Sequence, residues 1–403
     1  MTRDTRAPTA RGRILCSALA LALALPASLG GAEDVFFAGF KVYVGNLHSH
    51  TAFSDGSLFP EDAFAGAKNA GLQFMAVTEH NHTDGIHPRE PKGGKTIGSD
   101  PSLYQKLIAT AGARTQTGSF IAYFGQEFSS SSGGNHINVI GPQAVISETE
   151  IPSGEYKKFY ESWLPAHPEV SFIQFNHPWQ GQDPPAQNYG RHQFAGSFER
   201  LLAAAETKLR TIEVINGPGL SEVSGRIATV QGEPRFKEFL SHGFRIAPTA
   251  DQDNHYKTWG RLTDARTGVL ASDLTEASLT AAIVARRTFA STDKNLRAAL
   301  AVNGHIMGSE ITAASRDLTI AYKIADADEP NAKYDVKIVV GSSVGGTAPK
   351  ESKLISVQGD SAGEVHCTTP HNNSFVYLKI VQQPQTESEK DYLLTSPVWI
   401  RIE

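Results

Sequence analysis

Asn46-Leu47-His48-Ser49-His50-Thr51-Ala52-Phe53-Ser54-Asp55-Gly56 is the stretch on which the fold of this chain turns. It directly follows the apolar segment Val42-Tyr43-Val44, which reads as a strand. In extended chain, residues i and i+2 share a face. His48 and His50 therefore point the same way and can grip one cation, and Asp55 returns toward them from the loop. Working outward, the same juxtaposition recurs along the chain. Glu79 and His80 end the segment that starts at Phe74, and Glu127 follows Phe120 to Phe124. A Ser/Gly-rich loop then leads to His136. His177 follows Val170 to Phe175, and Asp251, Asp253 and His255 follow Phe244 to Ala247. Taken singly, a histidine that ends a buried strand is more often a hydrogen-bonded core residue than a ligand. A glutamate there is costly unless paired or metal-bound. Together they put ligand-type side chains at the ends of many separate strands, and a closed barrel gathers such ends around one axis.

The segments between them are helical. Pro60 to Ala70 opens with Pro, Glu61 and Asp62 and stops at Gly71. Pro101 to Ala113, Phe198 to Ala205 and Glu233 to Leu240 follow, with Thr211 to Ile215 as a further strand. Asp273 with Glu276 opens a helix reaching Arg286 in the manner of a capping box. Strands alternating with helices predict an α/β fold with a mostly parallel sheet. After about Leu296 the pattern changes. Leu318 to Ile324, Tyr334 to Val340, Leu354 to Val357, Phe375 to Val381 and Val398 to Ile402 are strand-like, and no helix is evident. This predicts a small antiparallel β-sandwich.

The order His-x-His, Asp, His, Glu, His, His, Asp-x-His resembles the metal pattern of the PHP (polymerase and histidinol phosphatase) superfamily, over roughly Lys41 to Thr292. The Ala250 to His255 run and the appended β-domain are most similar to the subgroup containing carbaryl-type carbamate hydrolases. The resemblance implies a distorted (β/α)7 barrel followed by the C-terminal β-sandwich. The expected division is 1–32 export signal, 33–295 barrel and 296–403 sandwich. It further implies a first metal on His48, His50, Glu127 and Asp253. A second would share Glu127 with His136 and His177, and a third would sit on Asp55, His80 and His255. Glu127 and Asp253 are the residues on which catalysis is expected to depend most. One departure concerns the family's Thr-Asp-His, which is Thr78-Glu79-His80 here. Glu79 is expected beside the ligands rather than among them. Asp251 competes with Asp253 for the last carboxylate, and the Asp-x-His spacing favours Asp253.

The donors are hard oxygens and borderline nitrogens with no thiolate, so two or three divalent ions (Zn, Mn or Fe) all fit. Water between two such cations loses a proton easily, and the resulting hydroxide would attack an ester. The expected activity is that of a phosphoesterase acting on a small-molecule ester. The alternatives are a carboxylic or carbamate ester hydrolase on the same metals, and a non-catalytic secreted binding protein. Arg191, Arg261 and Arg266 lie near ligand-bearing segments and are candidates for bidentate substrate contacts. His82, His87 and His192 are candidates for proton transfer.

Arg3, Arg6, Arg11 and Arg13 precede the apolar run Ile14 to Leu25, and small residues end at Ala32. This is the pattern of a cleaved secretory signal and predicts a secreted or periplasmic protein without a stable membrane anchor. The full chain carries 37 Lys and Arg against 42 Asp and Glu, a formal charge of −5. Cleavage would make that about −8, which argues against a nucleic-acid partner. Cys367 would be the only cysteine left, which excludes an internal disulfide.

Overall fold

The computed structural model describes residues 35–82, 94–128, 135–152, 154–179, 188–383 and 391–403. The expected export signal at 1–32 and His87 lie outside these residues. Among the described residues no helix is long and apolar enough to cross a membrane.

Seven strands neighbour one another in chain order: β1 (Lys41–Asn46), β2 (Phe74–His80), β3 (Ile121–Phe128), β4 (Ile137–Ile140), β5 (Phe172–Phe175), β6 (Leu209–Asn216) and β7 (Ala247–Asp251). β1, β2 and β3 are parallel, as are β5, β6 and β7. β4 runs antiparallel between β3 and β5. Phe74, Met75, Ala76 and Val77 of β2 are all fully buried, as expected of a strand covered on both faces. Outside it, Phe64 and Ala67 of the helix Pro60–Asn69 and Leu107 and Ala111 of the helix Ser102–Arg114 pack on Met75 and Val77.

β8 (Arg266–Ala271) pairs antiparallel with β1, and β9 (Thr288–Ser291) antiparallel with β8. The Thr267 hydroxyl bonds both the amide and the carbonyl of Ala250, at 2.9 and 3.0 Å. The Thr288 hydroxyl donates to the Pro248 carbonyl at 2.8 Å. These bonds draw β7 against β8 and β9, so the sheet curls back on itself. The seven forward strands, β9 among them, then deliver their C-terminal ends to one side, and the reversed β4 and β8 deliver their N-terminal ends there.

Several expectations need correction. The strand expected at Phe244 to Ala247 starts at Ala247 instead; Phe244 and Ile246 are buried from the loop before it. The last helix is capped by Thr275, whose hydroxyl accepts from the Ser278 amide, not by Asp273. Asp273 accepts from the Thr275 hydroxyl and holds that cap in place.

The C-terminal residues form β10 (Leu296–Val302), β11 (His305–Ile306), β12 (Glu310–Ala313), β13 (Asp317–Asp326), β14 (Lys333–Ser342), β15 (Lys350–Gln358), β16 (Ser361–Thr368), β17 (Asn373–Gln382), β18 (Tyr392–Thr395) and β19 (Val398–Ile402). β11, β10, β13 and β16 make a four-stranded sheet. Leu300, Ile320 and Val365 from it join one apolar cluster with Val336, Leu378 and Ile380 of β14 and β17. The remaining strands are not a separate body. β18 pairs with β9, so one 15-stranded sheet runs from β7 through β1 into the C-terminal half. The expected (β/α)7 barrel followed by a β-sandwich is thus joined by strand pairing, and the sheet that holds the barrel strands has more than seven. The outer edge of β9 would otherwise expose unpaired amides and carbonyls, and β18 covers it.

An acidic patch lies where these strands meet. Burial, reinforced by Asp293, Glu329, Asp326 and Asp328, pushes Asp391 up to about 7. The folded chain therefore retains a proton that the unfolded chain releases between about pH 4 and 7, and stability falls as pH rises through that window. Asp391→Asn should raise the melting temperature by roughly 2 °C at pH 8 and change little at pH 4. Thermal melts at the two pH values check this; an equal shift at both would exclude the charge as its cause.

Candidate metal centre

The loops after β1 and β7 are tied together before any ligand is considered. Asn46 Oδ1 accepts from the amides of His48 (3.2 Å) and Gln252 (3.1 Å). The His50 amide donates to the Asn254 carbonyl at 2.9 Å. His48 and His50 are thus set beside Asp253 and His255. Gly56 lets the loop fold back with Asp55, since a Cβ there would lie 2.7 Å from the His50 carbonyl carbon.

Glu127, at the end of β3 and 1 % exposed, is the hub. Its Oε1 lies 3.0 Å from His136 Nδ1 and 3.2 Å from both His48 Nε2 and His177 Nε2. Its Oε2 lies 3.3 Å from His50 Nε2 and 3.2 Å from His80 Nδ1. Five imidazoles therefore surround one buried carboxylate. Asp253 Oδ1 is 3.2 Å from both His48 Nε2 and His50 Nε2. Asp55 reaches His255 Nε2 at 3.4 Å and His80 Nε2 at 3.7 Å. All nine residues singled out from the sequence converge.

Within this cluster three sets have donor atoms mutually close enough for one cation: His48, His50, Glu127 and Asp253; His50, Asp55, His80 and His255; and His80, Glu127 and His136. The first is the set that the family resemblance implies. The second adds His50 to the expected trio, and the third carries His80 beside Glu127 and His136. His177 touches Glu127 without completing such a set.

Tautomers show that the residues fit metal ions. His48 Nδ1 faces Glu213 Oε1 at 2.8 Å and His255 Nδ1 faces the Asp253 carbonyl at 2.8 Å. Protons on those nitrogens leave both Nε2 lone pairs turned inward, the arrangement that outer partners impose on metal-binding histidines. His80 Nδ1 and Glu127 Oε2 face each other without forming a hydrogen bond. Burial opposes ionisation of Glu127, yet His48, His136 and His80 outweigh it and hold its carboxyl well below the usual range. Burial likewise opposes charge on His48, and Glu127, Asp253 and Glu213 outweigh it and raise the ring's pKa. Protons and divalent cations compete for the same lone pairs, so this field favours either. His177 and Asp253 both have positive φ, 27° and 48°, backbone that non-glycine residues adopt only when their surroundings impose it.

A second layer holds these groups. Glu213, fully buried in β6, accepts from the His177 amide at 2.5 Å and the Asn216 amide side chain at 2.8 Å besides facing His48. Asn176 donates to Glu127 Oε1 at 2.8 Å. Glu79 is not in any of the three sets; it accepts from the Thr51 amide at 3.0 Å and from the hydroxyls of Thr51 and Ser54. Asp251 accepts from the Leu47 amide at 2.6 Å and from Gln174 Nε2 at 3.0 Å. Burial and the charge of Glu213 push it up to about 7. The sequence reading missed Glu213. We expect Glu213→Gln to weaken metal binding tenfold to a hundredfold, since a neutral partner supports the His48 tautomer less well. Metal titration of the stripped variant checks this, and an unchanged affinity would leave Glu213 only a packing role.

None of the three candidate arginines lines the cavity over the cluster. Arg191 donates to the Gly196 carbonyl and lies over the Phe198 ring. Arg261 is exposed and donates to Lys257 O. Arg266 is buried and spends its guanidinium on the carbonyls of Thr263, Ala265 and Gly260. Nearness in sequence put them beside the ligands, and their side chains turn away. His192 faces Asn188, whereas His82 stacks on His80 at 5.2 Å.

A cavity of about 480 Å³ opens over the cluster. Asp55, His80, Glu127, His136, His177, Asp253 and His255 form its floor, and Trp179, Gly217, Pro218, Gly219, Leu220 and Thr229 its wall. Among the described residues no lysine or arginine lines it.

No family model and no curated protein matches this chain. Among solved structures, it is similar to a two-domain protein of Bacteroides vulgatus ATCC 8482 containing a predicted PHP-like metal-dependent phosphoesterase. The identity is 16%, covering 88% of this chain and 95% of that one, with a TM-score of 0.47. It is also similar to an amidohydrolase of Chromobacterium violaceum with bound sulfate and no metal (13%, 54% and 89%, TM-score 0.29). A candidate metal-dependent phosphoesterase of Bifidobacterium adolescentis ATCC 15703 matches comparably (13%, 53% and 87%, TM-score 0.31). Overlaps this loose transfer neither a residue's role nor a reaction to this chain.

Proposed function

We propose that this chain is an exported metal-dependent hydrolase of the PHP superfamily, with a PHP-type barrel and two or three divalent cations, acting as a phosphoesterase. The observation that carries the reading is Glu127 with five imidazoles around it, their nitrogens within 3.0 to 3.3 Å of its two oxygens. A buried carboxylate so placed is suited to bridging cations. When bound, such cations supply Lewis acidity and an acidified water. The protein's own part is positional. Glu213 and the Asp253 carbonyl fix the tautomers of His48 and His255, and Asn176 holds Glu127. His82, stacked on His80 at 5.2 Å, is a candidate to support that ring or to pass a proton from it. The complete donor set speaks against a non-catalytic binding protein.

A carboxylic or carbamate ester is the second reading. It is favoured by a cavity wall that presents Trp179, Pro218 and Leu220 and no described cation. The test is metal analysis of the purified protein, followed by chelation, reloading, and assay on phosphomonoesters, phosphodiesters, carboxylic esters and carbamates. Turnover that survives complete chelation would sink the hydrolase reading, and preference among the esters decides the rest.

A further inference from the structure

The segment 217–231, between β6 and the next helix, is built unlike an ordinary surface loop. Its ends are pinned: the Asn216 amide donates to Thr229 O at 3.0 Å and the Thr229 amide to Asn216 O at 2.6 Å. Its middle rests on the chain after the metal-binding run. The Gly225 amide donates to Arg261 O at 2.9 Å, the Arg226 amide to Leu262 O at 2.6 Å, and the Thr258 hydroxyl to Ser221 O at 3.3 Å. Gly219 allows close contact with Asp253, whose carbonyl would lie 2.2 Å from a Cβ there. So held, the loop still turns Leu220 (68 % exposed), Val223 (60 %), Ile227 (81 %) and Val230 (37 %) to solvent. These are four of the eight large exposed hydrophobic side chains among the described residues, within eleven positions. Clustered apolar exposure of this kind marks a binding surface.

What it binds is indicated by where it starts. Leu220 belongs both to the cavity wall and to the exposed set, and Thr229, Pro218 and Trp179 share that wall. The exposed apolar set therefore starts at the cavity that Asp253 and His255 line. Glu222 and Arg226, the loop's charged side chains, cancel, and neither lines the cavity. Resting on the metal-centre reading above, we propose that the 217–231 loop binds an apolar alkyl or aryl portion of the substrate. The enzyme's substrates are then esters carrying a large hydrophobic group beside the scissile bond, and Leu220, Val223 and Ile227 set that specificity.

The probes are n-alkylphosphonates from ethyl to octyl, whose headgroup can engage the metals while the tail reports on the loop. Binding to the metal-loaded full chain is measured by calorimetry. Burial of each methylene is expected to tighten binding roughly fourfold until the strip is covered. In the variant carrying Leu220→Ser, Val223→Ser and Ile227→Ser, metal content and melting temperature should hold, because these side chains are exposed, and the dependence on tail length should flatten. Ile227→Ser alone should flatten part of the slope, and Ile227→Leu should keep most of it, if that residue makes contact. Equal affinity across the series for the unaltered protein overturns the proposal. So does a triple variant that keeps the tail dependence but loses self-association or binding to phosphatidylcholine vesicles, because the strip then faces a second copy or a lipid surface. Tail-dependent binding with no turnover of any ester upholds the loop's role and removes the hydrolase reading instead.

Discussion

Glu127→Gln is expected to lower kcat/KM about a thousandfold and to release most of the bound metal, while the metal-free fold melts within a few degrees of the parent. Glutamine keeps the shape of the side chain and removes its charge. One unit charge about 4 Å from one cation, at an effective dielectric near 20, is worth about 4 kcal/mol, or roughly three orders of magnitude. Packing need not suffer. The glutamine oxygen can keep the hydrogen bond that Asn176 makes to Oε1 at 2.8 Å. Its amide then takes the place of Oε2, 3.2 Å from His80 Nδ1, a nitrogen that burial keeps neutral and able to accept. Metal stoichiometry, turnover and a melt of the chelated protein together check this. Wild-type turnover with full metal occupancy would mean that the bridge lies elsewhere.

The reason Glu127 could be found without coordinates also explains what could not. Its carboxylate ends an apolar strand, where an unpaired charge is hard to bury, and the same physics marks His48, His80, His177 and Asp253. Each sits just where a strand stops, so chain order alone lays out the ring of ligands. Glu213 obeys the same rule of burial but stands in the middle of Thr211 to Ile215 rather than after it. A charge inside a fully buried strand was a signal available in the sequence, and it marks a group that serves a ligand from behind. The direction of β4 and β8 was not legible. Ile137–Ile140 is four residues long and follows directly on His136, and local pattern does not encode whether so short a strand runs with or against its neighbours. The continuity between β9 and β18 was hidden for a related reason: it depends on pairing Leu394 with Ala290, over a hundred residues apart. The arginines failed differently. Arg266 follows the metal-binding run closely, but closeness along the chain carries no information on where a long side chain points, and this one turns to three carbonyls of its own loop.

Asp253→Asn and Asp251→Asn should separate cleanly, although the two residues are one apart in the alternation of a strand. For Asp253→Asn, we expect loss of at least one metal and a fall in kcat/KM on the order of a thousandfold, by the same charge argument. Asp253 Oδ1 stands 3.2 Å from His48 Nε2 and 3.2 Å from His50 Nε2, so its charge acts directly on the shared cation position. Asp251 faces away from that position. Its Oδ1 accepts from the Leu47 amide at 2.6 Å and from the Thr267 hydroxyl at 3.2 Å, and its Oδ2 from Gln174 Nε2 at 3.0 Å. An asparagine there can keep only one acceptor oxygen, so its amide must point either at the Leu47 N–H or at the Gln174 amide. A buried donor facing a donor costs about 1–3 kcal/mol. Asp251→Asn should therefore lower the melting temperature by several degrees while metal stoichiometry stays whole and turnover drops far less. The penalty should shrink at high pH. Burial and the charge of Glu213 push the parent's Asp251 up to about 7, so the parent loses stability as pH rises from about 4 through 7, and the neutral asparagine does not. Metal analysis and melts of both variants at pH 5 and pH 8 decide the matter. If Asp251→Asn empties a metal position and Asp253→Asn does not, the ligand is Asp251 and the ring of donors closes two residues earlier along the chain.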